Sequence, residues 1–348
     1  MRQLFRLIGG SHDIGSSRWF WSGLTALALA FLCYPLFGSE FGATNVAFYL
    51  LNIPLGLGLA LLWGYGGVLS FGQTAFFTIA GYVYGIVAGN MTENSAGTVV
   101  ASCAGLAAAG VVSAVFGYFV FFARVAAWIV PILTLVLTLL LSTFLGLTAG
   151  YQWRVGSVLL GGYNGMTGIP ALQIGDFVFQ GYSFYYLTLA IVILCYLGLR
   201  MLVNSHPGQV VIAMREDDLR TELLGYDVRL QQLGVFVLAA LLSAISGLLY
   251  VQWGNYVTPS SASLIQATLP VIWVAVGGRD SLLAVCIATF LLNQLTYVLS
   301  SQGNQYALVI VGVILVAVMV FAPQGIVVAV ARSRWWRRTV DESASSHG

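Results

Sequence analysis

Residues 41–92 read FGATNVAFYL LNIPLGLGLA LLWGYGGVLS FGQTAFFTIA GYVYGIVAGN MT, with no charged side chain between Glu40 and Glu93. A soluble domain of average composition carries about 25% charged residues, so this run has no face that suits water. A helix that crosses a bilayer needs about 20 apolar residues. The run is long enough for two.

The same criterion applies outward in both directions, because a charged group at the bilayer centre is costly. Residues 19–39 hold one crossing. Residues 94–123, 125–153 and 177–199 hold one each, and residues 230–278 and 281–331 hold two each, which makes ten. Residues 155–175 are also free of charge, but Gly161, Gly162, Gly165, Gly168 and Pro170 make a poor helix there. They are expected to form an extracytoplasmic or re-entrant loop. The whole chain agrees: of 348 residues, 59% are hydrophobic and 7% charged. The expectation is an all-α, polytopic integral membrane protein of about ten helices, and most soluble enzyme and nucleic-acid readings fall away.

Arginine placement sets the expected orientation. Arg2, Arg6 and Arg18 precede the first crossing, and Arg332, Arg334, Arg337 and Arg338 follow the last. Both ends are therefore expected in the cytoplasm, as an even number of crossings requires. The segment with Arg200, Arg215, Arg220 and Arg229 then falls on the same side, and the loops near Glu40, Glu93 and Asp176 fall outside. The apolar run from Trp19 has no clear small-x-small cleavage site behind it, so it reads as a retained first helix. The expected organisation is a cytoplasmic segment 1–18, a membrane domain 19–328 with a cytoplasmic loop 204–231, and a cytoplasmic tail 329–348.

Helices in lipid approach closely through small residues. Gly81, Gly85 and Gly89 recur every four positions, as do Ala101, Gly105, Ala109, Ser113 and Gly117. Each set lies along one helix face and predicts a dense bundle. The runs Gly66-Gly67-Val68-Leu69-Ser70 and Gly277-Gly278-Arg279-Asp280-Ser281 share a GGxxS pattern. Their expected placement on one side does not fit simple inverted repeats.

All fourteen basic residues are arginine. Without lysine there is no Gly-Lys-Ser/Thr loop to hold nucleotide phosphates, so the chain cannot hydrolyse ATP by that route. Cys33, Cys103, Cys195 and Cys286 lie far apart inside apolar runs, and His12, His206 and His347 lie outside the runs and apart from one another. The cysteines read as small core residues, and neither set forms a metal site.

The most polar segment is Met214-Arg215-Glu216-Asp217-Asp218-Leu219-Arg220-Thr221-Glu222-Leu223-Leu224-Gly225, which holds four of the twelve acids. Leu219, Leu223 and Tyr226 recur at i, i+4 and i+7 and predict an amphipathic helix. Glu216 and Arg220 stand at i, i+4 in the favourable order, and Gly225 suits a helix stop. Such a helix is either a solvated loop or a piece that docks into a partner's groove with Leu219 and Leu223 as anchors.

Five blocks are familiar together. They are Gly64-Tyr-Gly-Gly-Val-Leu-Ser-Phe-Gly-Gln-Thr-Ala-Phe-Phe77, Gly161-Gly-Tyr-Asn-Gly-Met-Thr-Gly168, Arg215-Glu-Asp-Asp-Leu-Arg-Thr-Glu-Leu-Leu-Gly225, Trp273-Val-Ala-Val-Gly-Gly-Arg279 and Phe321-Ala-Pro-Gln-Gly-Ile326. In this order, over roughly residues 45–328, the chain resembles the permease subunits of ATP-binding-cassette importers for branched-chain amino acids and urea. The Trp273–Arg279 block looks more like the urea branch. Arg215-Glu-Asp-Asp is closer to the amino-acid branch, and Leu283-Ala284-Val285 replaces that family's usual Gly-Pro.

The resemblance implies that this chain is no enzyme. It implies a second permease subunit, two ATPase subunits that use ATP and magnesium, a periplasmic substrate-binding protein, and no cofactor on this chain. It also implies a bacterial cytoplasmic membrane. Arg215, Glu216, Asp217, Asp218, Leu219, Arg220, Glu222, Leu223, Leu224 and Gly225 would form the coupling helix. Uncharged groups would line the pathway: Gln73, Thr74, Asn164, Thr268 and Asn293, together with Asn52 and Gln294, and with Phe71, Phe77 and Trp273 as apolar walls. Gln73 is the leading candidate, because it lies in the Ser70-Phe-Gly-Gln block. Such groups can exchange hydrogen bonds with urea without a counter-charge, and they also serve simply to join helices. The rival classes are a secondary transporter, a passive channel and a membrane enzyme. The first typically needs intramembrane charge, the second has no use for the acidic helix, and the third lacks a His/Asp/Glu cluster at a membrane face.

Overall fold

A computed structural model describes residues 18–91 and 96–301, with isolated positions 309–310, 312–313, 316–317, 325 and 328. Its helices are α1 (Arg18–Phe37), α2 (Glu40–Leu51), α3 (Ile53–Leu59), α4 (Gln73–Asn90), α5 (Gly97–Phe122), α6 (Val130–Leu147), α7 (Tyr182–Asn204), α8 (His206–Glu216), α9 (Asp218–Leu223), α10 (Val228–Gly254), α11 (Leu264–Gly277) and α12 (Leu282–Ser301). Among the described residues seven stretches are long and apolar enough to cross a membrane, with α2 and α3 counted as one through Tyr65. α4 and the shorter apolar α11 occupy two more of the charge-free runs. The tenth, the second in residues 281–331, lies mostly outside the described residues, as do the terminal arginine clusters. The protein is an all-α, multi-pass membrane protein.

The bundle has two ends. One carries α8, α9 and most of the described charged residues. The other carries residues 148–181, where the glycine-rich sequence gives short antiparallel pairs: β1 (Arg154–Val155) with β2 (Val158–Leu159), and β4 (Gln173–Ile174) with β5 (Phe177–Val178). β3 (Met166–Thr167) pairs with β6 (Tyr256–Val257) just beyond α10. Asn255 clamps this end, donating from Nδ2 to the Ile169 carbonyl at 2.8 Å and accepting the Ile169 N–H at 3.0 Å.

The centre is α4, α5, α10 and α3, packed through small residues as the ladders predict. Ala101, Gly105, Ala109, Ser113 and Gly117 are all on the buried face of α5. A Cβ on Gly105 would stand 2.8 Å from the Ala80 carbonyl of α4, and one on Gly58 2.7 Å from the Ala239 carbonyl of α10. Lipid gives no hydrophobic drive between helices, so this backbone approach supplies the dispersion contact that holds them. The opposite faces keep their apolar side chains outward, for example Val111 and Phe119 on α5 and Val136 and Leu140 on α6.

Two expectations change. Cys33 and Cys103 are exposed rather than core residues, and Cys195 and Cys286 are only partly covered. Arg200 is not in the polar loop. It sits inside α7, fully buried, donating to the Tyr196 hydroxyl at 2.9 Å with its guanidinium 4.8 Å from the Phe20 ring centre.

Candidate functional site

The run from Glu40 to Asn90 makes two crossings, but not as two plain helices. Asn52 and Pro54 break the first, because proline has no N–H to continue the ladder. The segment Ala60–Tyr65 is a π-helical turn, which often marks a functional site. From Gly66 to Gly72 the backbone is not helical, and α4 starts only at Gln73. Gln73 is level with the middle of α10, where its Oε1 accepts the Ser243 hydroxyl at 2.5 Å. A broken helix at membrane depth survives only if protein satisfies its backbone. α6 does this here. Thr134 Oγ1 accepts the Phe71 N–H at 3.1 Å, and Thr138 Oγ1 donates to the Phe71 carbonyl at 3.1 Å.

Beside the broken helix is a cavity of about 330 Å³. Its walls come from α2 and α3 (Phe48, Asn52, Leu55), α4 (Thr74, Phe77), α10 (Tyr250), α11 (Gln266, Leu269, Trp273) and α12 (Asn293, Thr296, Tyr297, Ser300), with Ser261 at the rim. Among the described residues no charged side chain lines it. On one side it is closed by a separate apolar cluster of Leu55, Phe77, Ile272, Trp273, Val276, Ala288 and Leu292.

Of the residues singled out in the sequence, Thr74, Phe77, Trp273, Asn293 and Asn52 meet at this cavity. The others are elsewhere. Gln73 joins α4 to α10 and does not reach the wall. Phe71 serves through its backbone. Thr268 donates to the Ile265 carbonyl of its own helix at 2.7 Å. Asn164 is exposed in the 3-10 turn Gly162–Asn164 at the hairpin end, and Gln294 is exposed on α12. Sequence reasoning passed over Gln266, Thr296, Tyr297 and Ser300. A signal for three of them existed: Asn293, Thr296, Tyr297 and Ser300 are spaced i, i+3, i+4 and i+7, one polar face of an otherwise apolar helix.

At the charged end the single amphipathic helix of the sequence becomes two. Asp217 takes extended backbone and ends α8, and its side chain caps α9 by accepting the Arg220 N–H at 3.0 Å. This is the usual preference of aspartate at a helix start. Glu216 therefore does not pair with Arg220. Arg220 pairs with Asp217 at 3.0 Å and Glu222 with Arg124 at 2.7 Å. α9 ends where expected. Gly225 has φ +91° and donates to the Glu222 carbonyl, and Tyr226 donates to the Thr221 carbonyl. These two bonds close a Schellman turn.

Thr221 is buried beneath α9, while Leu219, Leu223 and Leu224 are 68%, 81% and 76% exposed. Three leucines thus stand in the open among Asp218, Arg220 and Glu222. Burial, and then the neighbouring Asp217 and Glu222 charges, push the Asp218 carboxyl above its ordinary range.

Arg215, at the end of α8, joins this surface to the bundle. Its guanidinium donates to the Gly64 carbonyl and to Asp280 Oδ1, 2.8 Å away. Its side chain also lies against Gly67. The two GGxxS runs therefore meet at one arginine, at the same end of the molecule. In both, the second glycine takes positive φ, +74° at Gly67 and +107° at Gly278, which only glycine adopts freely. In both, the serine hydroxyl accepts an N–H near the start of the next helix, Ser70 from Gly72 and Ser281 from Ala284. Among the described residues, no group of three His, Cys, Asp or Glu is placed to hold a metal ion.

Comparison with known proteins bears on the same stretch. Residues 21–319 match the family model described as branched-chain amino acid transport system / permease component. The high-affinity branched-chain amino acid transport system permease protein LivM of Escherichia coli is 25% identical over 335 residues, 87% of this chain and 74% of that protein. The protein of the same name from Salmonella typhimurium is 25% identical over 334 residues, again covering 87% and 74%. A probable branched-chain amino acid transport permease protein LivM of Methanocaldococcus jannaschii is 22% identical over 183 residues, 49% of this chain and 53% of that one. No solved structure matches the chain.

Proposed function

We propose, for a chain that belongs to the branched-chain amino acid transport permease family, that it is the membrane subunit of an ATP-driven importer and forms one wall of its translocation pathway. The observation that carries this reading is the family match across residues 21–319, which takes in both the cavity and the α8–α9 unit. The substrate ranks as a branched-chain amino acid, because the three relatives are named for that class. Urea, favoured by the wording of Trp273–Arg279, is the second reading. A cavity with uncharged polar groups and no fixed charge suits either.

In this reading the chain works with a second permease subunit, two ATPase subunits and a periplasmic binding protein, in the bacterial inner membrane. ATP and magnesium stay on the ATPases. With both termini in the cytoplasm, α9 faces the ATPase dimer, and Leu219, Leu223 and Leu224 enter its groove. Closure of the ATPases pushes α9. The rigid α8 passes the displacement through Arg215 to the turns at Gly64–Gly67 and Gly278–Asp280. Those turns lead directly into α4 and α12, two walls of the cavity. The packed bundle then switches between two arrangements and does not deform continuously.

Uptake of labelled leucine and labelled urea, measured side by side in cells with and without this gene, tests the reading. ATP-dependent loss of leucine uptake on deletion supports it. Loss of urea uptake alone moves the substrate to the second reading. Uptake of both that is unchanged by deletion and by ATP depletion removes the importer assignment.

A further inference from the structure

The first helix is fastened to the bundle near its two ends and stands off it between them. In α1, Trp21, Leu24, Ala28 and Phe31 are partly covered, and the other residues from 21 to 31 are exposed. Spaced i, i+3, i+7 and i+10, the four form one narrow stripe along the helix. At the charged end of the bundle, the guanidinium of buried Arg200 is 4.8 Å from the Phe20 ring centre and 5.1 Å from that of Trp21. At the hairpin end the fastening follows from a proline. Pro35 has no N–H to give to the Phe31 carbonyl, four residues back. The Tyr185 hydroxyl of α7 donates to that carbonyl at 2.6 Å, and the Tyr182 hydroxyl donates to the Gly38 carbonyl at 3.1 Å.

Between these fastenings is a second cavity, of about 280 Å³. Leu24, Ala28 and Phe31 line it from α1, and Ile53 of α3, Val192 of α7 and Cys286 of α12 from the bundle. Among the described residues its walls are hydrocarbon apart from the Cys286 sulfur and the Tyr196 hydroxyl, and that hydroxyl is engaged by Arg200. From Leu24 to Phe31 the space runs about 10 Å along the helix, at about 1.5 Å per residue. Leu27 and Leu291 form its mouth and are 40% and 53% exposed. An apolar cavity of this kind stays dry, and a dry void is costly in proportion to its volume. The fastenings keep α1 from collapsing into it.

We propose that this cavity binds one acyl chain of a bilayer phospholipid, wedged between α1 and the face made by α3, α7 and α12. The mouth at Leu27 and Leu291 is continuous with the lipid-facing surface of the bundle, so hydrocarbon is the group at hand to fill it. Two other occupants fit less well. The residues before α1 include Arg2, Arg6 and Asp13, and a wall without free polar groups does not receive charge. A helix of a partner subunit is about 10 Å across with its side chains, too wide for a gap of this volume. The bound chain touches helices on several sides, whereas the lipid that coats Val111 or Val136 touches one face only. It therefore exchanges more slowly than the coating lipid. The site requires only that the chain spans a membrane, and it stands whether or not the importer reading does.

The test uses the full-length chain in its native membrane. A short photoreactive diazirine side chain is placed at position 28, inside the cavity, or at position 136, on the outer face of α6, where Val136 is 52% exposed. Adduct masses after illumination identify what lies beside each position. In the membrane both are expected to carry phospholipid. After extensive detergent washing, the phospholipid adduct is expected to persist at position 28 and to fall at least about tenfold at position 136. An equal loss at both would make the lipid at position 28 ordinary coating and overturn the proposal. So would the lack of a phospholipid adduct there in the membrane, or an adduct with residues 1–17 or with another protein. A second measurement fills the space. Phospholipid returned to washed wild-type protein is expected to raise its melting temperature, because a ligand bound by the folded state stabilises it. Ala28→Phe, which puts a ring in the cavity, is expected to show a smaller rise, and Ala28→Leu takes its place if the larger side chain prevents insertion. Equal rises in wild type and variant would also overturn the proposal.

Discussion

Arg215 and Asp280 are 65 residues apart in sequence and 2.8 Å apart in space. One end of this pair is on the helix that leads to α9, the other in the turn between α11 and α12. The same Nη1 also holds the Gly64 carbonyl. The two partners are unequal. Asp280 is about half exposed, with a side-chain exposure of 53%, and an ion pair in such a setting contributes little, about 0–1 kcal/mol. The Gly64 carbonyl, at the end of a buried π-helical turn, loses its donor when Arg215 is cut back, at a cost of about 1–3 kcal/mol. Asp280→Asn is therefore expected to leave the melting temperature of the purified protein nearly unchanged, and Arg215→Ala to lower it clearly. If Arg215 also relays motion, Arg215→Ala keeps its ATPase partners yet hydrolyses ATP without import. Equal melting temperatures for the two variants would contradict this division.

Leu223 is 81% exposed and Leu219 68%, so neither supports the fold of the isolated chain. Leu223→Asp is expected to change thermal stability by less than about 0.5 kcal/mol. As an anchor in a partner's groove the same residue is costly to lose, at about 2 kcal/mol or more. Co-purification of the ATPase subunits with tagged Leu223→Asp permease is the measurement. Retention of the wild-type ratio would take α9 out of the interface.

Much of the bundle was legible in the sequence, because a membrane span has to be free of charge and the spacing of charges is easy to read. Most of each of the seven candidate spans within the described residues falls in a charge-free run, although α7 runs on past its run to take in Arg200, and the small-residue ladder of α5 is its buried face. The interruption at residues 66–72 was harder to see. Nothing charged announces it, and the hydroxyls that satisfy the Phe71 backbone come from Thr134 and Thr138, more than sixty residues away. The split of the coupling segment at Asp217 was hidden for a related reason: an aspartate inside an amphipathic pattern reads as a surface charge until its side chain is seen to cap the next turn. The cavity was half legible. Polar residues in apolar helices could be named, but Gln73 and Thr74 are adjacent in sequence and face different neighbours, and only the position of α10 separates the glue from the wall.

The support given by α6 to the broken helix is measurable. Thr134→Val and Thr138→Val keep the shape of the side chain and remove the hydroxyl, which leaves the buried N–H or carbonyl of Phe71 unpaired. Each is expected to cost about 1–3 kcal/mol, and Thr188→Val about 0.5–1.5 kcal/mol, because the Thr188 hydroxyl only donates to the Phe184 carbonyl of its own helix. Denaturation in mild detergent, followed by helical ellipticity, compares the three. A larger loss from Thr188→Val than from the other two would mean that the backbone at Phe71 finds another partner.

The close approach of α10 to α4 gives a prediction of opposite kind, in which adding a methyl group does harm. A Cβ on Gly247 would collide with the Phe77 carbonyl, whereas one on Gly198 would meet nothing within 4 Å. Gly247→Ala has to push α10 off the helix that carries Thr74 and Phe77, at a cost of about 1–3 kcal/mol. Gly198→Ala removes a glycine from a helix interior and is expected to stabilise by up to about 1 kcal/mol. Melting curves of the two variants should move in opposite directions. A shift of the same sign in both would show that the two backbones yield without cost.

The last prediction concerns pH at the charged end. Burial of the Asp218 carboxyl, with Asp217 and Glu222 beside it, raises its pKa above that of the unfolded chain. The folded state then binds more protons than the unfolded state as pH falls through this range, so this group makes the fold more stable as pH falls and less stable as pH rises. The raised value belongs to the α9 unit, so the effect should appear there and not in the bundle. Amide exchange of residues 217–226 is expected to slow as pH is lowered from neutral toward the carboxylate range, after correction for intrinsic exchange, while α5 and α10 stay level. Asp218→Asn removes the buried charge and is expected to slow exchange at neutral pH and to flatten the profile. Exchange in Asp218→Asn that follows the wild-type pH dependence would remove the Asp218 carboxyl as its cause.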